Sequence, residues 1–158
     1  MSSATTHPEP DSGAAPAALR LPAVLDSLEP LRLFALEGAV AVGLGPDVPP
    51  RLELALEEAL VNVISYAYPP GTAGEVELAR HAAPDAFTLV LTDWGPAFDP
   101  LREPELEPEL TANMEADLDH RAPGGMGLFL IRTMSQASYR RVGESNQLTL
   151  RFPLPVQL

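Results

Sequence analysis

The sequence predicts an α/β fold of the α+β kind, a two-layer sandwich in which a mixed, mostly antiparallel sheet carries helices on one face. Three observations predict it. Eighteen prolines divide the 158 residues into four windows open to regular structure, 31–45, 51–68, 71–95 (interrupted by Pro84) and 124–152, because proline removes a backbone donor and restricts the residue before it. Two of these windows carry apolar residues at helical spacing, one carries strand patterns, and the last carries a helix followed by strands. Helices and strands therefore do not alternate one for one, which argues against a doubly wound parallel sheet.

The first helix follows Ser27, a suitable N-cap, with Pro30 in the first turn where an amide is not missed. Leu31, Phe34, Ala35, Gly38 and Val42 give its apolar face. The second helix has the clearest stripe, Leu52, Ala55, Leu56, Ala59, Leu60, Val63, Ile64 and Ala67, closed by Pro69 and Pro70. Residues 75–81 alternate and 87–94 form an apolar, β-branched run, so the pair reads as two adjacent antiparallel strands. Residues 95–123 hold eight acidic residues and five prolines, and a loop of that length in a compact domain is usually a functional lid or disorder. After Gly124, residues Met126, Phe129, Leu130, Thr133, Met134 and Ala137 predict a helix face, and 139–142 with 147–152 predict a closing hairpin. Residues 1–18 read as a mobile tail, 19–158 as one domain and 96–123 as its lid.

Composition narrows the function. The ten basic residues, all arginine, stand against 22 acidic ones, for a net charge of −12. A surface that displaces phosphate counterions from a nucleic acid is not expected from that balance. With no cysteine there is no disulfide, thiolate metal site or cysteine nucleophile, and His7, His81 and His120 are too scattered for a metal cluster. The longest apolar runs are about six residues, against roughly 20 for a membrane helix, and the N-terminus has no signal-peptide pattern. A soluble, cytoplasmic protein is expected.

Three constellations can carry chemistry. Glu58 and Asn62 lie four residues apart, on one face of the second helix. Taken alone the pair reads most simply as a solvated face. The alternative is that the Asn62 amide oxygen meets a magnesium ion, which needs few protein ligands when phosphates supply the rest, while Glu58 accepts a proton from a nucleophile. Asp93, at the end of the apolar run, can accept from an exocyclic amine, with Gly95 two residues on making room for a planar base; the plain alternative is a turn. Gly124, Gly125 and Gly127 stand at a helix start, where free amides and the macrodipole favour phosphate, although the lysine of a P-loop is missing.

The ordered combination is more specific than its parts. Glu58-Ala59-Leu60-Val61-Asn62, continuing to Tyr66-Ala67-Tyr68, then Asp93-x-Gly95-x-Ala97-Phe98, then Gly125-Met126-Gly127-Leu128-Phe129, resemble the GHKL superfamily of ATP-binding domains, and within it the anti-sigma factor serine kinases, over about residues 19–153. The resemblance implies a Bergerat-type ATP-binding fold with ATP and Mg2+ as ligands. It implies that Asp93 holds the adenine amine, that Gly95, Ala97 and Phe98 line the base pocket, that Asn62 binds magnesium, that Gly124, Gly125, Met126 and Gly127 meet the phosphates, and that Glu58 is the general base toward a serine hydroxyl. It further implies a STAS-domain anti-anti-sigma protein as phosphoacceptor, a sigma factor as the sequestered partner, and a homodimer. The γ-phosphate arginine of such kinases has its candidate here in Arg121, displaced by about two residues, and Tyr66 stands where a histidine is common. A non-catalytic module that binds ATP or ADP as a conformational ligand is the alternative function, and the ATPase part of a two-component kinase is a more distant one.

Overall fold

The computed structural model describes residues 17–102 and 126–155. Its order is β1 (Ala17–Pro22), a 3-10 turn (Leu25–Ser27), α1 (Leu28–Ala41), α2 (Val48–Asn62), a π-helical turn (Val63–Ala67), β2 (Glu75–Ala82), β3 (Ala86–Asp93), α3 (Met126–Met134), β4 (Gln136–Val142) and β5 (Ser145–Pro153). The five strands form one sheet in the order β1-β2-β3-β5-β4. Every pairing among the described residues is antiparallel, where a mixed, mostly antiparallel sheet was expected, and the two-layer α/β architecture is the one observed.

The register explains the layers. Leu78, Leu91 and Leu148 pair across β2, β3 and β5, as do Leu89 and Leu150 with Phe87 and Phe152 alongside, and all of them are buried. Period-2 alternation puts these side chains on one face of the sheet. There they meet Leu31 and Ala35 of α1, Leu52, Leu56, Ala59 and Leu60 of α2, and Ile131 of α3 in one core. Pro49 and Pro50 open α2, where missing amides cost nothing.

Four differences from the sequence reading have local causes. β1 was not expected; its Leu19 and Leu21 alternate inward, but its six residues follow Pro16 and end on Pro22, too short a window to register as a strand. It is an edge strand, where a proline is tolerated. It also begins at Ala17, two residues before the expected domain boundary, while residues 1–16 lie outside the described part. α3 ends at Met134 and Ala137 belongs to β4, with only Ser135 between the two elements. The buried side of α3 carries Leu128 and Ile131, and Phe129 is 63% exposed, so its inward face is rotated from the one expected. The β4–β5 hairpin is tighter than expected: Val142 pairs Ser145 across a two-residue turn. Gly143 supplies the positive φ of 58° that a primed turn requires at its first position.

Candidate functional site

β3 ends at Asp93 directly opposite Asn146 of β5, and a cleft opens here between the end of the sheet and the last turn of α2. Its polar lining is Asn62, Asp93 and Asn146; Ala59, Val63, Leu91 and Leu148 form apolar walls, and Tyr139, Phe98 and Pro100 its rim. Three of the sequence candidates, Asn62, Asp93 and Phe98, are thus brought together from α2, β3 and the loop after β3. Phe98 is 47% exposed.

Asp93 is 6% exposed. Its Oδ1 accepts the Gly95 amide at 3.0 Å and the Asn146 Nδ2 at 2.9 Å. Its Oδ2 makes no hydrogen bond among the described residues, an acceptor in a desolvated site that a ligand N–H can satisfy. The turn that follows is held from all sides. Tyr68 Oη accepts the Trp94 amide at 2.9 Å, Arg141 Nη1 donates to the Gly95 carbonyl at 2.8 Å, and Asn146 Nδ2 donates to the Pro96 carbonyl at 3.0 Å. Trp94 also lies under the Arg20 guanidinium, 3.9 Å from the ring centre. The Asp93 carboxylate is therefore presented by a rigid frame, which is what recognition of one ligand atom requires.

Gly95 is under a constraint that the sequence did not show. A Cβ there would stand 2.0 Å from the Ala67 carbonyl oxygen, so the glycine admits the backbone of the π-helical turn; Gly95 is not part of the cleft lining. Ala97 is exposed on the same turn and does not line the cleft either. The π-helical turn itself, Val63–Ala67, follows Asn62 directly and contributes Val63 and Ala67 to the cleft. Such insertions are often found at functional sites.

Glu58 lies one turn before Asn62 on α2 and outside the cleft lining. Its Oε2 is 2.7 Å from the point a Cβ on Gly127 would occupy, so the carboxylate rests against the first turn of α3. Arg121, Gly124 and Gly125 lie outside the described residues, as does the side chain of Met126. Among the described residues there is no group of three or more His, Asp or Glu that could hold a metal ion by itself.

Sequence reasoning missed Asn146 and Tyr139. Asn146 is 4% exposed, and its Oδ1 accepts the Tyr139 hydroxyl at 2.6 Å and the Phe98 amide at 3.2 Å. The available signal was an asparagine just after a hairpin turn, where such residues are ordinary; only the register with Asp93 gives it meaning.

The sequence pattern of the histidine kinase-like ATPase domain matches residues 21–152. The chain is 37% identical over 100 residues to the serine/threonine-protein kinase BtrW of Bordetella bronchiseptica, covering 63% of this chain and 66% of that protein. It is 29% identical over 118 residues to the serine-protein kinase RsbW of Staphylococcus epidermidis, covering 73% and 72%. Among solved structures, that of the RsbU and RsbW domains of Rv1364c from Mycobacterium tuberculosis is similar with a TM-score of 0.61 at 15% identity, over 89% of this chain and 33% of that one. At that identity the likeness concerns the fold. No described helix is long and apolar enough to cross a membrane.

Proposed function

The chain belongs to the histidine kinase-like ATPase family, and from that premise we propose that it is an ATP-dependent protein serine kinase acting as an anti-sigma regulatory factor in the cytoplasm. The observation that carries the proposal is Asp93: a nearly buried carboxylate with one oxygen saturated by two N–H donors and the other open to a ligand amine. An adenine amino group is such a donor, and apolar walls with a few placed polar groups are the usual design of a base pocket. The serine kinase names of the Bordetella and Staphylococcus relatives support the reaction class. The STAS-domain phosphoacceptor, the sequestered sigma factor and the homodimer rest on the family resemblance.

Magnesium, bound with the nucleotide, supplies positive charge against the phosphate oxygens. Asn62, in the cleft lining, would offer that ion one amide oxygen, and phosphates and waters would supply its other ligands. Glu58 accepts the serine hydroxyl proton as the serine oxygen bonds to the γ-phosphorus and the bond to the ADP oxygen breaks. The first-turn amides of α3 favour the negative charge of the transferring group.

The test is a pair of measurements on three proteins. Asp93→Ala, folded by circular dichroism, is expected to lose at least about tenfold in Mg-ATP affinity, the loss of a charge-assisted hydrogen bond. Glu58→Gln is expected to bind Mg-ATP as the wild type does, while phosphate transfer to a STAS-domain partner falls by roughly 10²–10⁴. Transfer at the wild-type rate by Glu58→Gln removes Glu58 as the base. Tight Mg-ATP binding by the wild type without transfer to any serine decides for the non-catalytic switch module, the reading that the displaced Arg121 favours.

A further inference from the structure

We propose that Asn146 is the positioning residue that turns the outer carboxylate oxygen of Asp93 to the ligand as an acceptor, and so sets the preference for a 6-amino purine over a 6-oxo purine. The inference rests on the nucleotide reading of the cleft and goes beyond it, to a residue on another strand. Asn146 stands opposite Asp93 in the β3–β5 register and is 4% exposed. Both ends of its amide are committed. Nδ2 donates to Asp93 Oδ1 at 2.9 Å and to the Pro96 carbonyl at 3.0 Å, with the Gly95 carbonyl at 3.4 Å. Oδ1 accepts from Tyr139 Oη at 2.6 Å and from the Phe98 amide at 3.2 Å.

These contacts fix the orientation of the amide. If it were flipped, Oδ1 would face the Asp93 carboxylate and the Pro96 carbonyl, and Nδ2 would face the Phe98 N–H, so acceptor would meet acceptor and donor would meet donor. The nitrogen must therefore point at Asp93. A second N–H on Oδ1, beside that of Gly95, fixes the plane of the carboxylate through two donors, one from β5 and one from the turn after β3. The oxygen left to the ligand, Oδ2, can then only accept. It suits the amino group at C6 of adenine and repels the oxygen at C6 of hypoxanthine. With both ends of its amide committed to protein partners, Asn146 acts through Asp93.

An isosteric change isolates this role. Asp93→Asn keeps the shape of the side chain and gives it one acceptor and one donor. The Gly95 amide and Asn146 Nδ2 both donate to the inner position, so the amide oxygen is held there and its nitrogen faces the ligand, a donor for a 6-oxo purine. Adding Asn146→Ala removes one of the two donors and with it the hold on that orientation. Titrate the full-length wild type, Asp93→Asn and the double variant with Mg-ATP and Mg-ITP, and record thermal melting without nucleotide. The expected result is a wild-type preference for ATP that shifts toward ITP by at least about tenfold in Asp93→Asn, in line with exchange of one hydrogen-bonded contact. The double variant is expected to lose that shift. A staple for the turn alone would change melting and leave the ATP to ITP ratio of the double variant equal to that of Asp93→Asn. That equality overturns the role of Asn146 and leaves the nucleotide site standing. A wild type that binds neither nucleotide overturns the reading of the cleft itself, and the role of Asn146 with it.

Discussion

A single methyl group on residue 95 would strike backbone, and this is the sharpest residue-scale constraint around the cleft. The Cβ position lies 2.0 Å from the Ala67 carbonyl oxygen and 2.9 Å from its carbon, and a helical carbonyl cannot swing away as a long side chain can. Overpacking of this kind costs about 1–3 kcal/mol. Gly95→Ala is expected at the upper end of that range in urea unfolding, and to weaken Mg-ATP binding as well, because the Gly95 amide is one of the two donors that hold Asp93 Oδ1. A variant as stable as the wild type, with unchanged affinity, would show that the two backbones are not in contact. Asp93, a carboxylate ending an apolar run, reads by itself as a turn, and only its order between the Glu58–Asn62 pair and the later glycines singles it out. The backbone constraint on Gly95 was not legible, since the oxygen it avoids lies 28 residues earlier in the chain and reaches it only through the π-helical turn.

Elements were legible where one face is buried against many partners. The α2 stripe from Leu52 to Leu60 and the β2–β3 pair follow from periodicity alone, because a slip in either would expose the whole core face. Periodicity failed where the contact is with a single group. α3 turns Leu128 and Ile131 inward, leaving Gly127 against Glu58 of α2, and no apolar pattern records a glycine that makes room for a carboxylate. That contact yields a prediction with opposed signs. In Gly127→Ala the Cβ would sit 2.7 Å from Glu58 Oε2, the far end of a flexible side chain, so the carboxylate moves and the fold does not. Alanine is the better helix former by up to about 1 kcal/mol, so thermal stability is expected to hold or rise slightly. Phosphate transfer is expected to fall at least about tenfold, since a misplacement near 1 Å can cost far more. Equal loss of stability and activity would instead mean that α2 and α3 are too rigidly packed to let Glu58 move.

At the scale of the whole molecule the charge balance acts against the proposed ligand. The net charge is −12, and residues 103–123 contain seven acidic residues and one arginine, half of that excess. The proposed site at Asp93 shares the chain with this excess. A polyphosphate approaching that site meets a like-signed field, and only Arg side chains and magnesium offset it. The sign of the salt dependence follows. Site-specific phosphate contacts weaken as salt rises, whereas long-range repulsion of a negative ligand by a negative protein is relieved when the Debye length shortens from about 30 Å at 0.01 M to about 8 Å at 0.15 M. With a net charge this large the second effect is expected to win. Mg-ATP affinity measured at fixed magnesium should therefore strengthen, by a few-fold, between those two ionic strengths, and Mg-ADP, with one negative charge fewer, should respond less. A monotonic loss of affinity over the same range would mean that arginines local to the cleft, such as Arg141, outweigh the field of the rest of the chain.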